Sequence, residues 1–437
     1  MRTAFIGIPS STAIWFLYDY TQTSTLMQAS CREAARLGDR KLPNPLARVR
    51  HITVILNPVA GKRKSKKLYT KWVEPLLHLS GIKVSLIETE KPSQAYELMK
   101  IMSNCDAVAI VGGDGTVHEA LNGLLGRSDA AKAVRDFPIA ILPTGQYNSI
   151  ARYIHQRTVY RNQKEFLIHS TMKLIDSIPE QYDVLKILPL NRQDDTDESP
   201  VYALRDVRYG KYQDNFFKVS GNYLYQNWIK PYVLKTQRYF SRSYQKPLIE
   251  SISYTNPCEG CSKCFAKHRL TSEQVTGRQE KGANRKWWSI LAPVSSPNRE
   301  SGDDEKIEAE LATRENPHCD RWLKVRDLSE LTDFRACMMG EKKIRLSLGR
   351  NGELIPSESI ETQDIKLELS KELDSKKRSS SAQNEIGQTA SSADTEADKK
   401  KDDSTEKFLI DGQPTQAHSI EITAVSKGVT IFSGLPA

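Results

Sequence analysis

The chain alternates short, unbroken apolar runs with stretches whose apolar residues recur every three or four positions. His51–Leu56 is β-branched and apolar and ends in Asn57-Pro58, which predicts a buried strand. A basic stretch from Lys62 to Lys67 leads to Trp72, Val73, Leu76 and Leu77, a helical spacing stopped by Gly81. Lys83–Ile87 predicts a second strand, and Ala95, Leu98, Met99 and Met102 a further helix. Ala107–Val111 is apolar without alternation, the pattern of a strand covered on both faces. It runs into Gly112-Gly113-Asp114-Gly115-Thr116, after which Val117, Ala120, Leu121, Leu124 and Leu125 mark one face of a helix. Pro138–Leu142 predicts a fourth strand, followed by Pro143-Thr144-Gly145 and a helix through Ile150 and Ala151. Strands alternating with helices predict a parallel α/β sheet.

From about Tyr182 the pattern changes. Tyr182–Leu190, Val201–Val207, Ile344–Leu348 and Ile365–Leu369 read as strands with few helices between them. Ile420, Ile422 and Ala424, a turn at Ser426-Lys427-Gly428, then Val429 and Ile431 predict a terminal hairpin. Residues 46–180 thus read as an α/β lobe and 181–437 as a β-rich, sandwich-like lobe. The second lobe is interrupted by a Cys-rich, polar insertion over 256–320 and a second insertion over 371–407. The latter holds almost only Ser, Lys, Asp, Glu, Ala and Gln. It cannot bury enough apolar area to offset its ordering entropy and is expected to be disordered. Residues 1–45 read as an apolar leader for targeting or membrane anchoring. Ala4–Tyr18 is interrupted by Pro9, Ser10 and Ser11 and falls short of the ~20 apolar residues of a spanning helix.

Composition narrows the class. Only 38% of the 437 residues are hydrophobic, which excludes a multi-span membrane protein and fits a partly unpacked chain. Lys plus Arg (63) exceed Asp plus Glu (54), a net +9 that suits nucleotides, nucleic acid or an acidic lipid surface and chooses none. Seven cysteines exclude a disulfide-rich scaffold.

The chemistry concentrates at predicted strand ends. In Gly112-Gly113-Asp114-Gly115-Thr116 the glycines permit a sharp turn and close approach to a phosphate. The following helix directs free N–H groups and its positive dipole end to the same point. Asp114 sets a carboxylate where a Mg²⁺–nucleotide or an attacking hydroxyl would lie. The spacing fits neither a Walker A loop nor a dinucleotide-binding Gly-x-Gly-x-x-Gly loop. Asn57, Pro58, Gly61 and Lys62 end the first strand, Thr89 follows the second, and Gly145 and Asn148 follow the fourth. Small and polar residues at four strand ends of a parallel sheet favour a nucleotide site over a set of ordinary turns.

These motifs resemble those of the lipid kinase family of diacylglycerol, sphingosine and ceramide kinases. Asn57-Pro58-x-x-Gly61, Gly112-Gly113-Asp114-Gly115-Thr116 and Pro143-x-Gly145-x-x-Asn148-x-x-Ala151-Arg152 carry the resemblance. His78-Leu79-Ser80-Gly81, Tyr182-Asp183-Val184-Leu185, Arg208-Tyr209-Gly210 with Asp214, and Ser251–Thr255 are similar to the mitochondrial acylglycerol kinase branch. Gly-Gly-Asp-Gly alone also occurs in NAD kinases and phosphofructokinases; the β-rich second half separates the lipid kinases from them.

The resemblance implies a two-lobed kinase that uses ATP and Mg²⁺ and phosphorylates monoacylglycerol or diacylglycerol to lysophosphatidic or phosphatidic acid. Asp114 would orient or deprotonate the hydroxyl, or hold the metal. Gly112, Gly113, Gly115 and Thr116 would line the phosphates, and Glu119 would reach the nucleotide or the metal. The implied location is mitochondrial, at the inner membrane or in the intermembrane space, with a membrane surface as partner and no nucleic acid. The branch also implies an alternative, a weakened kinase fold acting as a scaffold with inner-membrane carrier-protein translocase components. Asp411-Gly412-Gln413 stands where related kinases carry Asp-Gly-Glu. Gln cannot take a proton, so Asp411 becomes a second candidate for the catalytic carboxylate.

Cys258, Cys261, Cys264 and His268 have the spacing of a tetrahedral Zn²⁺ site, with His318-Cys319 as an alternative source of the fourth ligand. A loop of reduced or disulfide-linked thiols and an iron–sulfur run remain open for the same residues.

Overall fold

The computed structural model describes residues 7–39, 49–155, 160–190, 199–210, 249–258, 261, 316, 321–326, 328, 331–340, 343–350, 353–369, 408–415, 417 and 419–433. The chain forms two compact units, residues 1–184, 260–315 and 425–437, and residues 185–259 and 316–424.

In chain order the first unit holds α1 (Gly7–Gly38), β1 (His51–Leu56), α2 (Ala60–Arg63), α3 (Ser65–Trp72), α4 (Glu74–Leu79) and β2 (Lys83–Glu88). There follow α5 (Gln94–Ile101), β3 (Ala107–Gly112), α6 (Asp114–Leu125), α7 (Ala130–Asp136), β4 (Ile139–Pro143), α8 (Ser149–Ile154) and α9 (Gln163–Asp176). The strands are parallel in the order β2-β1-β3-β4. The apolar runs of β1, β3 and β4 are buried as expected, β3 and β4 along their whole length, whereas β2 stays partly exposed. Ile52, Val54 and Leu56 pack with Ala109, Val111, Trp72, Leu76, Leu167 and Leu174 in one core.

Two local expectations differ. The stretch from Lys62 onward is not one helix but three short ones. Gly61 and Lys62 adopt φ of +59° and +60°, and Pro75 opens α4, where its missing N–H costs nothing. The expected leader is in part packed chain. Thr23, Ser30 and Ala34 of α1 are buried, and α1 lies against α4 and α9. Gly38 comes so close to the Leu79 carbonyl that a Cβ would collide with it. No helix among the described residues is long and apolar enough to cross a membrane.

The second unit is β-rich. Its elements are β5 (Glu180–Pro189), β6 (Val201–Ala203), β7 (Asp206–Tyr209), β8 (Ile249–Thr255), β9 (Trp322–Lys324) and β10 (Asp333–Gly340). Then come β11 (Lys343–Arg350), β12 (Glu353–Thr362), β13 (Asp364–Leu369), β14 (Phe408–Ile410), β15 (Gln413–Thr415) and β16 (Ser419–Ile431). The unit boundaries fall inside β5 and β16. One sheet is antiparallel in the order β12-β11-β10-β7-β14-β15, and β9, β8, β13 and the start of β16 form another. Phe334, Ala336, Ile344, Leu346 and Phe408 from the first meet Ile252, Ile365, Leu367, Ile420 and Ile422 from the second in one core. The fold is therefore mixed α/β, a parallel sheet followed by a β-sandwich, as the patterning predicts.

The terminal hairpin is a correction. β16 is one strand through Ser426-Lys427-Gly428. The turn residues make a local kink instead, with Lys427 at φ +53° and its N–H donated to Asp183 Oδ1 at 2.8 Å. Gly428 sits against Val184 with no room for a side chain. The expected disordered insertion over 371–407 lies outside the described residues.

Candidate nucleotide site at the carboxyl edge of the parallel sheet

Chain order in the parallel sheet reverses direction between β1 and β3, because β2 lies on one side of β1 and β3 and β4 on the other. Ligands of open parallel sheets bind outside the carboxyl ends of the strands at such a point. Asn57, at the end of β1, stands there. Its N–H donates to the Val111 carbonyl at 2.9 Å. Its side-chain Nδ2 donates to Thr116 Oγ1 at 2.9 Å, and its Oδ1 accepts the Val59 N–H at 3.1 Å. The first strand end is thereby tied to the start of α6.

The glycines bring two loops together. Gly112 passes so close to Thr116 that a Cβ would lie 2.7 Å from the Thr116 Cβ and Oγ1. The Gly112 carbonyl accepts the N–H groups of both Thr144 and Gly145 at 3.0 Å. Gly145 faces Gly113 backbone to backbone, and a Cβ on Gly145 would also lie 2.8 Å from Asn148 Oδ1. Gly61, at φ +59°, meets the Thr144 carbonyl in the same way. Below the loop, Ser65 and Thr144 share a fully buried hydroxyl–hydroxyl hydrogen bond of 2.7 Å.

Asn148, at φ +52°, closes its own loop. Its Oδ1 accepts the Gly145 N–H at 2.8 Å, and its Nδ2 donates to the Gly145 carbonyl at 2.9 Å. Thr89 is buried and its N–H donates to the Leu56 carbonyl at 2.8 Å. Asn57, Asn148, Thr89 and the glycines are thus engaged with the protein. They shape the edge.

Asp114 is the half-buried carboxylate of this edge. It begins α6, with Gly113 as the preceding cap residue. Its Oδ1 accepts the Ile150 N–H at 2.8 Å, in the first turn of α8. One oxygen is thus held by backbone while the group stays partly open to solvent. The first N–H groups of α6 have no carbonyl within their own helix. Lys62 is exposed beside Gly61, and Glu119 is half-buried one turn along α6. Glycines that admit no side chain, a helix N-terminus, a lysine and a carboxylate fit the phosphates of a nucleotide and a hard divalent cation.

Sequence reasoning missed Gln163 and Ser65. Gln163 Nε2, at the first position of α9, donates to the Gly145 carbonyl at 2.9 Å and the Pro143 carbonyl at 3.3 Å. Amide and hydroxyl side chains in polar stretches carry no local signal of such long-range roles. A polar cluster at the last turn of α9 was also missed. Lys173 Nζ donates to the Ser433 carbonyl at 2.7 Å and lies 3.2 Å from His155 Nδ1. Ser433 Oγ donates to Glu180 Oε2 at 2.5 Å. Burial first, then the Lys173 charge, pushes the His155 imidazole down to about 4.

In the second unit, Asp411 is a departure from expectation. It is fully buried and turns the β14–β15 hairpin with φ +50°. Its Oδ2 accepts the Leu204 N–H at 2.7 Å, and its Oδ1 those of Arg205 at 2.8 Å and Asp206 at 3.1 Å. A carboxylate so engaged anchors the 204–206 turn, and this geometry does not suit a proton acceptor for substrate. Gln413 lies opposite Ile410 across the hairpin.

Of the cysteine cluster, Cys258 accepts a hydrogen bond from Asn316 Nδ2 at 3.4 Å and Cys261 is buried. Cys264 and His268 lie outside the described residues. Among the described residues no three His, Cys, Asp or Glu are grouped to hold a metal ion, so the Zn²⁺ expectation gains no support.

Residues 51–187 match the family model described as the diacylglycerol kinase catalytic domain. The chain is 33% identical over 246 residues to the human protein named "Acylglycerol kinase, mitochondrial", covering 56% of this chain and 55% of that protein. The Xenopus laevis protein of the same name is 32% identical over 246 residues, again 56% of this chain and 54% of that one. Mouse sphingosine kinase 1 is 35% identical over 137 residues, 30% of this chain and 35% of that protein. A solved diacylglycerol kinase from Bacillus anthracis str. Sterne has a TM-score of 0.45 at 12% identity, over 88% of this chain and 96% of that one. The chain spans about half the length of the curated acylglycerol kinases it matches. Residues 51–187 thus resemble the diacylglycerol kinase catalytic domain, and the chain resembles the mitochondrial acylglycerol kinases over 56% of its length.

Proposed function

We propose that the chain is an ATP- and Mg²⁺-dependent lipid kinase that phosphorylates the free hydroxyl of monoacylglycerol and diacylglycerol, giving lysophosphatidic and phosphatidic acid. The observation that carries this reading is the placement of Asp114. It is half-buried at the start of α6, with Oδ1 fixed 2.8 Å from the Ile150 N–H at the carboxyl edge of β3. Phosphoryl transfer asks a protein for positioning and for charge stabilisation more than for covalent chemistry. Asp114 orients or deprotonates the attacking hydroxyl, or holds the metal. The N–H groups at the start of α6 and the Gly112-Gly113 turn receive phosphate oxygens, and Lys62 adds positive charge. Mg²⁺, when bound, draws charge from the phosphoryl oxygens. Glu119 is a further carboxylate within one turn of this edge.

The names of the relatives favour a mitochondrial location, and the proposal puts the chain at the inner membrane or in the intermembrane space. The net charge of +9 favours an anionic membrane surface as the place where substrate is met. A second reading rests on Gln413, which cannot take a proton at the position where related kinases carry Glu. In it, the chain is a weakened kinase fold that acts as a scaffold with inner-membrane carrier-protein translocase components.

The test is transfer of labelled γ-phosphate from ATP to mono- and diacylglycerol in mixed micelles, with wild type beside Asp114→Asn and Gln413→Glu. Lipid product from wild type, lost by about 10²-fold or more in Asp114→Asn, is the expected result. Product only from Gln413→Glu would overturn the proposal in favour of a weakened kinase fold, the premise of the scaffold reading.

A further inference from the structure

α9 begins with two amide side chains that reach opposite ways. Asn162 caps the helix, its Oδ1 accepting the Glu165 N–H at 2.8 Å. Its Nδ2 reaches α1, donating to Asp19 Oδ1 at 2.8 Å and to Thr23 Oγ1 at 3.1 Å. Thr23 is buried and uses its own hydroxyl proton on the Asp19 carbonyl at 2.8 Å, so it is set to accept from Asn162. Gln163 reaches the site, with Nε2 on the carbonyls of Gly145 at 2.9 Å and Pro143 at 3.3 Å.

Gly145 is the hub of the loop that Gln163 holds. Its N–H serves Gly112 O at 3.0 Å and Asn148 Oδ1 at 2.8 Å. Its carbonyl accepts from Asn148 and from Gln163. Three of these four contacts come from residues within the two loops of the edge. Gln163 ties Gly145 to α9, which is fixed in the core by Phe166, Leu167, Ile168 and Leu174.

We infer that Asn162 and Gln163 are a positioning pair that couples the docking of α1 to the geometry of the 143–148 loop, and so to nucleotide affinity. The inference rests on the nucleotide reading above. It makes α1 a working part of the nucleotide-binding unit, where the sequence suggested only a leader. The coupling runs through contiguous hydrogen bonds, Asp19 and Thr23 to Asn162, and Gln163 to Gly145, joined by one peptide unit.

The experiment titrates full-length protein with MgATP by displacement of trinitrophenyl-ATP, alongside thermal melting. The variants are Gln163→Leu, the α1 pair Asp19→Ala with Thr23→Val, and all three substitutions together. Loss of the two Gln163 hydrogen bonds is expected to weaken MgATP about tenfold, and the α1 pair about threefold. Combined, they should cost clearly less than the product of the two, because both act on one loop. Arg127→Ala is the control. Arg127 Nη1 holds the Met99, Lys100 and Met102 carbonyls at the end of α5, so its loss should lower the melting point and leave MgATP affinity unchanged. Wild-type affinity in Gln163→Leu, or α1 variants that melt lower yet bind MgATP as wild type does, would overturn the coupling alone. Wild type that fails to bind MgATP would overturn the nucleotide reading, and the coupling with it.

Discussion

Gly145→Ala is expected to damage nucleotide binding through sterics alone. The added Cβ would lie 2.8 Å from Asn148 Oδ1 and 3.2 Å from Gly113 N, and closer still to Gly113 Cα. Ordinary contact begins at 3.4 Å, so Asn148 Oδ1 must shift by about 0.6 Å and the Gly113 loop must part from this one by more. Gly113 presents backbone, which cannot swing aside as a side chain would. Overpacking of this kind costs about 1–3 kcal/mol, and the backbone neighbour puts it near the upper end. At about 2–4 °C per kcal/mol, the melting point should fall by roughly 5–10 °C. Parting the loops also lengthens the 3.0 Å bonds from Thr144 and Gly145 to the Gly112 carbonyl. MgATP affinity should therefore fall tenfold or more, read by titration calorimetry below the melting transition. Gly123→Ala gives the comparison. Its Cβ would lie 2.9 Å from Met99 Cβ, and closer to the Tyr96 carbonyl, where α6 packs on α5. It should destabilise to a similar degree and leave MgATP affinity intact. Equal loss of affinity in both variants would refute the argument, as would wild-type affinity in Gly145→Ala.

Other outcomes follow from the same contacts. Asp411→Ala removes the acceptor for three buried N–H groups and should cost more than about 2 kcal/mol by urea unfolding. Residual phosphoryl transfer per folded molecule should stay near wild type, whereas a catalytic Asp411 would lose it. His155 stays neutral in the folded protein down to about pH 4 but is protonated near pH 6.5 when unfolded. The unfolded state therefore binds the extra proton between these values, and stability falls as pH drops from about 6.5 to about 4. The span is worth about 3 kcal/mol, and His155→Gln should flatten the pH dependence of the urea midpoint in that window. A double-mutant cycle on Asn57→Ala and Thr116→Val should show coupling of about 1 kcal/mol in stability, reflecting their 2.9 Å hydrogen bond.

What the sequence revealed was local. The apolar runs of β1, β3 and β4 and the apolar stripe of α6 specify a parallel sheet because both faces of each strand must be covered. From the sequence, Gly112 and Gly113 read as residues that let a phosphate approach, and Gly145 as a small residue of the same edge. In the structure they first allow two loops to touch. The features that were missed depend on partners far along the chain. Asp411 accepts from Leu204, Arg205 and Asp206, and no local pattern separates such an anchor from a catalytic acid. Gly428 carried a turn signal, yet Val184 and Asp183 determine that the strand continues. Gln163 opens a helix in polar sequence, and only the position of Gly145 gives it a role.

Amide hydrogen exchange with and without saturating MgATP tests the central claim most directly. Slowed exchange confined to 57–62, 112–116 and 144–148 is predicted, since these segments form the carboxyl edge of the parallel sheet. Protection elsewhere in the chain with these segments unchanged, or no protection at all, would contradict the account.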